Sequence, residues 1–392
     1  MPEAVIVSAC RTPIGTSGRG TLNQTSAFDL AHVVLAESLQ RTGLAPELFD
    51  DVVLGESLYG GGVIARHAAL TVGMTGVPGL ALNRHCATGL SAVAAAAGSV
   101  KAGMDRCVVA GGTNSSSTGP QTLWRTPGTT DWAPGISPTH PDSPEAPNLD
   151  MSISVGWNTA QRAGLTREDL DAWAFASHQK AVRAIDEGRF LDEIVPVKVV
   201  RADGSVVLFD TDEHPRRDTS LERLASLKVL HPEIEGFSIT AGNAGGVNDA
   251  AAALVVTGDD FAAEHGLTPL ATVRSWAFVG VEPADMGLAP EFAVPKALAR
   301  AGLSLGDVDL FEVNEAFASV PVALTRRLGI DPARVNPSGS GCSLGHPIAA
   351  SGARMLVTLV HELRRRGGGI AVATMCAGGG MGGAVVLEVH AP

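Results

Sequence analysis

Four separated stretches of this sequence carry side chains suited to chemistry. Residues 83–90 read NRHCATGL and run into SAVAAAAGSV, so Cys86 stands where a loop hands over to an alanine-rich helix. A thiol in the first turn of a helix meets unpaired backbone N–H groups and the positive end of the macrodipole, which favours thiolate and lowers the pKa. Asn83 is placed to cap that helix, and Gly89 would let another chain approach closely. The plain alternative is a buried structural cysteine. In SLGHPIAASG (343–352), Pro347 suits a first helical turn, so His346 lies at a helix opening. An imidazole there is biased neutral, able to accept a proton or donate a hydrogen bond, with helix capping as the alternative. In FEVNEAF (311–317), Asn314 and Glu315 interrupt a strand at its end, where ligand groups of α/β proteins collect. Asn314 could position a water; Glu315 could be a base, although local satisfaction by backbone donors is the reading we favour. In MCAGGGMGG (375–383), Cys376 precedes Gly378, Gly379 and Gly380. Such a turn can aim N–H groups at a developing oxyanion or a phosphate, but no Lys-Ser/Thr follows, which excludes a P-loop. A cysteine nucleophile activated by histidine suggests acyl transfer, and a second cysteine beside a glycine turn suggests a proton shuttle.

These groups need strands and helices to bring them together. The patterns predict strands over 3–9, 51–57 and 106–112, a helix over 27–40, and a helix running from Cys86 to about Gly98. Short apolar strands alternating with helices argue an α/β fold with a largely parallel sheet. The end of the chain resembles its beginning. SLQRTGLAPELFDDVVLGE (38–56) and ALARAGLSLGDVDLFEVNE (297–315) both run helix, Gly-Leu turn, acidic turn, strand. GCSLGHPIAASGARMLVTLV (341–360) resembles the Cys86 region, and each is followed by a strand ending in glycines. Four elements in one order argue a duplicated unit, with Cys86, Cys376, His346 and Asn314 converging where the copies meet.

Residues 119–240 between the copies differ. The stretch 118–150 is rich in proline and glycine, carries Trp124 and Trp132, and has no clear periodicity, which marks it as a functional loop or lid. Residues 169–190 form an amphipathic helix whose His178 is read as packed or surface rather than catalytic, and 198–213 reads as a hairpin around Asp203-Gly204.

Composition narrows the class. The 392 residues, 45% of them hydrophobic, can bury a large core of more than one packing unit. A formal charge of −12 argues against nucleic acid as a main partner. No stretch reaches 18 uninterrupted apolar residues, and the N-terminus is neither a secretory signal nor an Arg-rich transit segment. Five widely spaced cysteines, Cys10, Cys86, Cys107, Cys342 and Cys376, read as free thiols in a reducing compartment, without zinc-ligand spacing. A cytoplasmic protein with no metal is the expectation.

Taken in order, NRHCATG, TAGNAGGVNDAAA, MGLAP, VNEAF, GHPIAASG and CAGGGMG resemble the thiolase family, and SHQKA and EGRFLDEIVP extend the likeness through the middle of the chain. The resemblance implies a five-layered α/β/α/β/α fold of two duplicated halves. One half would span 1–118, completed by about 241–267, and the other 268–392, with 119–240 an inserted loop domain covering coenzyme A. It implies acyl-CoA C-acyltransfer: reversible Claisen condensation of acyl-CoAs and thiolysis of 3-ketoacyl-CoA, best matched by acetyl-CoA acetyltransferase. By similarity Cys86 takes the acyl group and His346 activates it. Asn314, holding a water, and His346 form one oxyanion hole, and the amides of Cys86 and Gly378 form another. Cys376 moves the α-proton. Ala244, Gly245 and Met286 lie in motifs expected to contact coenzyme A, and Arg216, Arg217 and Arg223 could meet its phosphates or pair on the surface with Asp212 and Glu222. Coenzyme A thioesters would be substrates, with no permanent cofactor, in a homodimer or homotetramer.

Several positions depart from the family text. Thr88 stands for a serine, adding a methyl near the thiol; Thr113-Asn114 replaces Met-Glu after the glycines; Gly245 replaces a serine; Gly-Gly becomes Gly339-Ser340; and Ala349 replaces a glycine. The 119–150 stretch also differs, which suggests an altered acyl pocket. Rival readings are a degradative thiolase for longer or unusual chains, a decarboxylating condensing enzyme, which Cys376 argues against, a non-catalytic CoA-binding subunit, and a cysteine thioesterase.

Overall fold

The computed structural model describes residues 2–57, 63–201 and 203–392. Nine strands form its main sheet: β1 Ala4–Arg11, β2 Asp51–Gly55, β3 Gly79–Leu82, β4 Cys107–Ser115, β5 Asn248–Gly258, β6 Ala271–Gly280, β7 Leu310–Val313, β8 Gly369–Ala377 and β9 Met381–Val389. The order is β3-β2-β4-β5-β1-β6-β9-β8-β7, with the two-residue strand Gly15–Thr16 added beside β5. Its two sides repeat one plan. β2 runs parallel to β4 as β7 does to β8, and β4 is antiparallel to β5 as β8 is to β9. β5 then pairs β1 as β9 pairs β6. Even β3, parallel beside β2, has a vestige in the bridge of Val335 to Phe311. Within the main sheet, Val5↔Thr272 and Ile6↔Ala271 join the halves.

The sheet is thus mixed, not largely parallel as the alternating pattern suggested. The reason lies in connections. The chain returns from β8 to β9 through a tight glycine turn, and reaches β5 only after the long inserted segment, so the last strand of each half runs antiparallel.

Six helices matter to the argument: α1 Ala27–Thr42, α2 Thr88–Lys101, α3 Arg167–Asp186, α4 Pro290–Ala301, α5 Ser319–Leu328 and α6 Ile348–Arg365. α1 covers the outer face of the first half and α4 that of the second, while α2 and α6 pack on each other between the two sheet halves. That gives five layers. α2 is buried nearly all round, which fits its alanine-rich, charge-poor sequence. α1 shows why such segments start and stop where they do. Ser26 and Asp29 form a reciprocal capping box, and Gly43 ends the helix at φ 65°.

α2 and α6 meet at glycines. A Cβ on Gly89 would lie 2.5 Å from the Ala353 nitrogen, and one on Gly352 would lie 2.5 Å from that of Leu90. This confirms the close approach expected at Gly89 and sets how near the two helix starts can come.

The segment 119–240 holds α3, capped by Thr166 and Asp169, and two small hairpins. One pairs Leu123–Arg125 with Trp132–Pro134 inside the stretch that showed no periodicity, and its Trp124 and Trp132 are exposed. The other pairs Val197–Val200 with Val206–Phe209 as expected, although Ala202 lies outside the described residues. Among the described residues no helix is long and apolar enough to cross a membrane.

The crossing yields a test. Gly89→Ala should lower the unfolding free energy by about 1–3 kcal/mol through overpacking, read as a shift in the urea midpoint. Gly98→Ala, in the same helix but with its nearest neighbour 3.5 Å away on the Trp276 ring, should not.

Candidate active site

The loop before α2 is built from local hydrogen bonds. Asn83 Oδ1 accepts the His85 N–H at 2.7 Å, and Asn83 Nδ2 donates to the Ser57 carbonyl at 3.1 Å. Thr88 Oγ1 accepts the Arg84 N–H at 2.7 Å and donates to the His85 carbonyl at 2.5 Å. Asn83 therefore braces the loop and does not cap the helix, which begins only at Thr88. The Thr88 methyl faces Gly55, filling the space a side chain there would need, and so packs against β2. His85 adopts φ 46°, a left-handed conformation uncommon outside glycine, which histidine enters more readily than most residues. This kink sets the next residue, Cys86, at the apex of the loop.

Cys86 does not have the lowered pKa expected of a helix N-terminus. Burial pushes its thiol up to about 11, opposed by hydrogen bonds from the Gly378 N–H and its own N–H. The sulfur precedes the helix and is desolvated before the helix N–H groups can hold its charge. Cys86 rests as a thiol.

His346 complements it. Its N–H donates to the Gly246 carbonyl at 3.0 Å and to Asn248 Oδ1 at 3.1 Å, and Nδ1 pairs with Ser351 Oγ at 2.6 Å. Nε2 is buried with no hydrogen-bond partner among the described residues. Burial first, and the charge of Arg354 second, lower the imidazole to about 4, so it is neutral, as the sequence suggested. Because a hydroxyl both donates and accepts, Ser351 can serve either tautomer. Ser351 and Asn248 were missed in the sequence; the only signal for Ser351 is a hydroxyl five residues past the histidine. Pro347 is the N-cap of α6, one position earlier than its expected place.

Cys376 is 1% exposed near the end of β8, opposite Gly382. Burial raises its pKa, and charge at Cys86 raises it further, so the two thiols share one field. Gly379 and Gly380 turn the chain at φ 85° and 75°, and Gly378 lies under the His85 ring, where a Cβ would be 3.1 Å from Cγ. The turn holds the Gly378 N–H toward Cys86. Asn314, at the end of β7, is fully buried, and both its side-chain atoms lack partners among the described residues. A buried amide so placed can bind a water or a substrate oxygen.

Glu315 is not a free base. It accepts from Trp173 Nε1, Ser177 Oγ, Asn336 Nδ2 and the Cys342 N–H, at 2.6–3.1 Å. It is satisfied locally, as we favoured, but mostly by side chains.

The expected coenzyme contacts divide. Arg216 and Arg223 line a cavity of about 310 Å³ with His178, His214, Gly242 and Cys342. Arg217 instead pairs with Asp186, and Arg223 also pairs with Asp218. The alternative partners named from the sequence are not used: Asp212 is buried against Arg11. His178 is buried, accepting the Arg216 N–H at 3.1 Å on Nδ1, which fits the packed reading. Ala244 pairs with Phe317, and the Gly245 N–H donates to the Ala316 carbonyl at 2.8 Å. A Cβ on Gly245 would be 2.8 Å from the Glu315 carbonyl, so glycine lets this loop lie flat beside the strand end. Met286 is 1% exposed in the apolar cluster that also holds Cys376 and Phe317. Among the described residues no group of His, Cys, Asp or Glu is arranged to hold a metal.

The arrangement can thus form and resolve a thioester: one thiol met by amide donors, one neutral imidazole with a bare nitrogen, and a second thiol close enough to feel the first.

Comparison with known proteins agrees. The thiolase N-terminal domain matches residues 4–260 and the thiolase C-terminal domain matches residues 267–389. The chain is 42% identical to an acetyl-CoA acetyltransferase of Pseudomonas aeruginosa, over 99% of both chains. It is 39% identical to a beta-ketoadipyl-CoA thiolase of Acinetobacter baylyi, over 99% of this chain and all of that one. Among solved structures, the Bacillus anthracis acetyl-CoA acetyltransferase superposes with a TM-score of 0.90 at 37% identity, over 99% of each chain. Human mitochondrial 3-ketoacyl-CoA thiolase superposes equally well, with a TM-score of 0.90 at 34% identity.

The neutral state of His346 sets the pH response. Its base form is present above about pH 4 and is lost as pH falls through that value. Acylation of Cys86, followed as single-turnover CoA release, should hold from neutrality down to about pH 5 and drop below it. Ser351→Ala should slow that step about five- to tenfold, the worth of one neutral hydrogen bond, without loss of fold by circular dichroism.

Proposed function

The chain belongs to the thiolase family, and from that premise we propose that it is an acetyl-CoA acetyltransferase working through an acyl-cysteine at Cys86. The observation that carries this reading is the bare Nε2 of neutral His346, set in a site where the Gly378 N–H meets the Cys86 sulfur. His346 takes the thiol proton as Cys86 attacks the thioester carbonyl, so no standing thiolate is needed. The amides of Cys86 and Gly378 receive the oxyanion, CoA leaves with a proton, and the acyl group stays on sulfur. A second acyl-CoA then gives its α-proton to Cys376, whose own thiol proton has first passed to His346. His346 and a water on Asn314 steady the enolate oxygen while its carbon attacks the acyl-Cys86 carbonyl. Thiolysis is the same path reversed.

This reading seats coenzyme A at the cavity lined by Arg216 and Arg223, with the 119–240 segment as its cover. The halves 1–118 with 241–267, and 268–392, are the duplicated units of this reading. A homodimer or homotetramer in the cytoplasm is the assembly and place we propose. A degradative role on longer or unusual 3-ketoacyl chains is the second reading, favoured by the exposed Trp124 and Trp132 in the departing 119–150 stretch. Thiolysis rates across 3-ketoacyl-CoAs of rising length and branching decide between them: a sharp preference for acetoacetyl-CoA supports the first, and a maximum at longer chains the second.

Brief exposure to acetyl-CoA should add one acetyl mass on the Cys86 peptide. Cys376→Ala should keep that label and lose carbon–carbon bond formation, whereas Cys86→Ala should lose both. Asn314→Ala should cut condensation about 100-fold or more while sparing acylation; equal loss of both steps would remove Asn314 from the enolate site.

A further inference from the structure

Beneath the proposed site lies a buried ion pair that the mechanism above does not use. Arg354, on α6 two turns past His346, donates from Nη1 to Glu312 Oε1 at 2.5 Å, and Glu312 sits on β7 two residues before Asn314. Both are essentially without exposure, at 1% and 0%. Ser340 joins them: its Oγ donates to Glu312 Oε1 at 3.0 Å and accepts from Arg354 Nη2 at 3.1 Å. Ser340 is one of the departures from the family text, standing where a second glycine is usual. The three residues therefore tie together β7, the 336–345 loop and α6, which carry or adjoin Asn314 and His346.

The pair is not fully satisfied. Glu312 Oε2 and Arg354 Nε have no hydrogen-bond partner among the described residues. A buried ion pair left this incomplete adds little to stability compared with apolar packing, so it asks for another role. The charged groups around it come from every element packed there. Glu315 follows on the β7 end, Lys180 on α3 feels both carboxylates, and Arg354 lies on α6 eight residues after His346, whose protonation it disfavours. Of these, Arg354 is the cation whose field reaches the imidazole.

We propose that Arg354, held by Glu312 and Ser340, is a positioning residue for His346: the ion pair locks α6 to the strand that presents Asn314 and keeps a fixed positive charge within the field of the imidazole, adding to the effect of burial. The sign follows from electrostatics. A second positive charge beside Arg354 is disfavoured, so the cation lowers the pH at which His346 protonates. Burial is the larger cause of that lowering, and Arg354 the second. Removing the cation lets His346 protonate at higher pH, and the base is lost earlier on acidification.

The test compares acid limbs of Cys86 acylation by acetyl-CoA, measured on the full chain. Arg354→Gln combined with Glu312→Gln removes both charges and keeps hydrogen-bonding groups in place; Arg354→Met with Glu312→Leu repeats the neutralisation with apolar groups should the first fail to fold. Either double variant should move the acid limb upward by about one pH unit. Arg354→Lys, which restores the charge, should return the limb to the parent position. A double variant that folds and keeps the parent limb, losing rate only as its melting temperature falls, would overturn the proposal. So would an Arg354→Lys limb shifted as far as that of the neutral pair.

Discussion

Two buried helices crossing at van der Waals limits set the geometry of everything else. α2 and α6 lie between the sheet halves, and Gly89 and Gly352 remove the side chains that would hold them apart. The Cys86 loop precedes one helix and His346 the other, so the crossing bears on the placement of both. Each sheet half then brings its own contribution to the same level. β8 ends in Cys376 and the Gly378 turn, and β7 ends in Asn314. A duplicated α/β unit would place such ends at opposite edges. Back-to-back packing of the copies instead brings the Gly378 N–H to Cys86 and sets Cys376 within the field of Cys86.

The electrostatics of this site favour neutral groups. Desolvation raises both thiols and lowers the imidazole, so no resting charge is buried without a partner. Charge would appear only as bonds change, where the Gly378 and Cys86 amides and the Asn314 side chain can meet it. That division, a neutral ground state with donors already aimed, is the condition under which fixed dipoles contribute most to a developing oxyanion. It also gives the unpartnered Nε2 and Asn314 side-chain atoms a reason to exist.

The departures from the family text acquire different weights in three dimensions. The Thr88 methyl packs at Gly55 while its hydroxyl closes the nucleophile loop, so this exchange is absorbed. Gly245 fits a strip of backbone lying against residues 315–317, where a larger residue would press on a carbonyl. Ser340 adds a hydroxyl to the buried Arg354–Glu312 pair. Nothing in the structure explains why Thr113-Asn114 replaces the usual pair, although Asn114 Nδ2 does donate to the Asn248 carbonyl at 3.0 Å.

Much was legible from local pattern. Apolar patterning placed α1, α3 and most strands to within a few residues, the repeated order of elements revealed the duplication, and Cys86, His346, Asn314 and Cys376 stood out because reactive or polar groups broke apolar segments at their ends. What local pattern could not carry was anything set by partners distant in the chain. Strand direction depended on how the chain returned from β8 and from the inserted segment. The protonation of Cys86 depended on burial, opposed by the N–H of Gly378 292 positions away in the chain, and not on a place inside its own helix. Arg217 found Asp186 and Met286 found the core, because ion pairs and packing are decided by whichever surfaces meet. The sequence by itself determined which residues carry reactivity and which elements present them; tertiary structure alone decided their charge states and their distances, since desolvation and contact exist only once the two halves are packed.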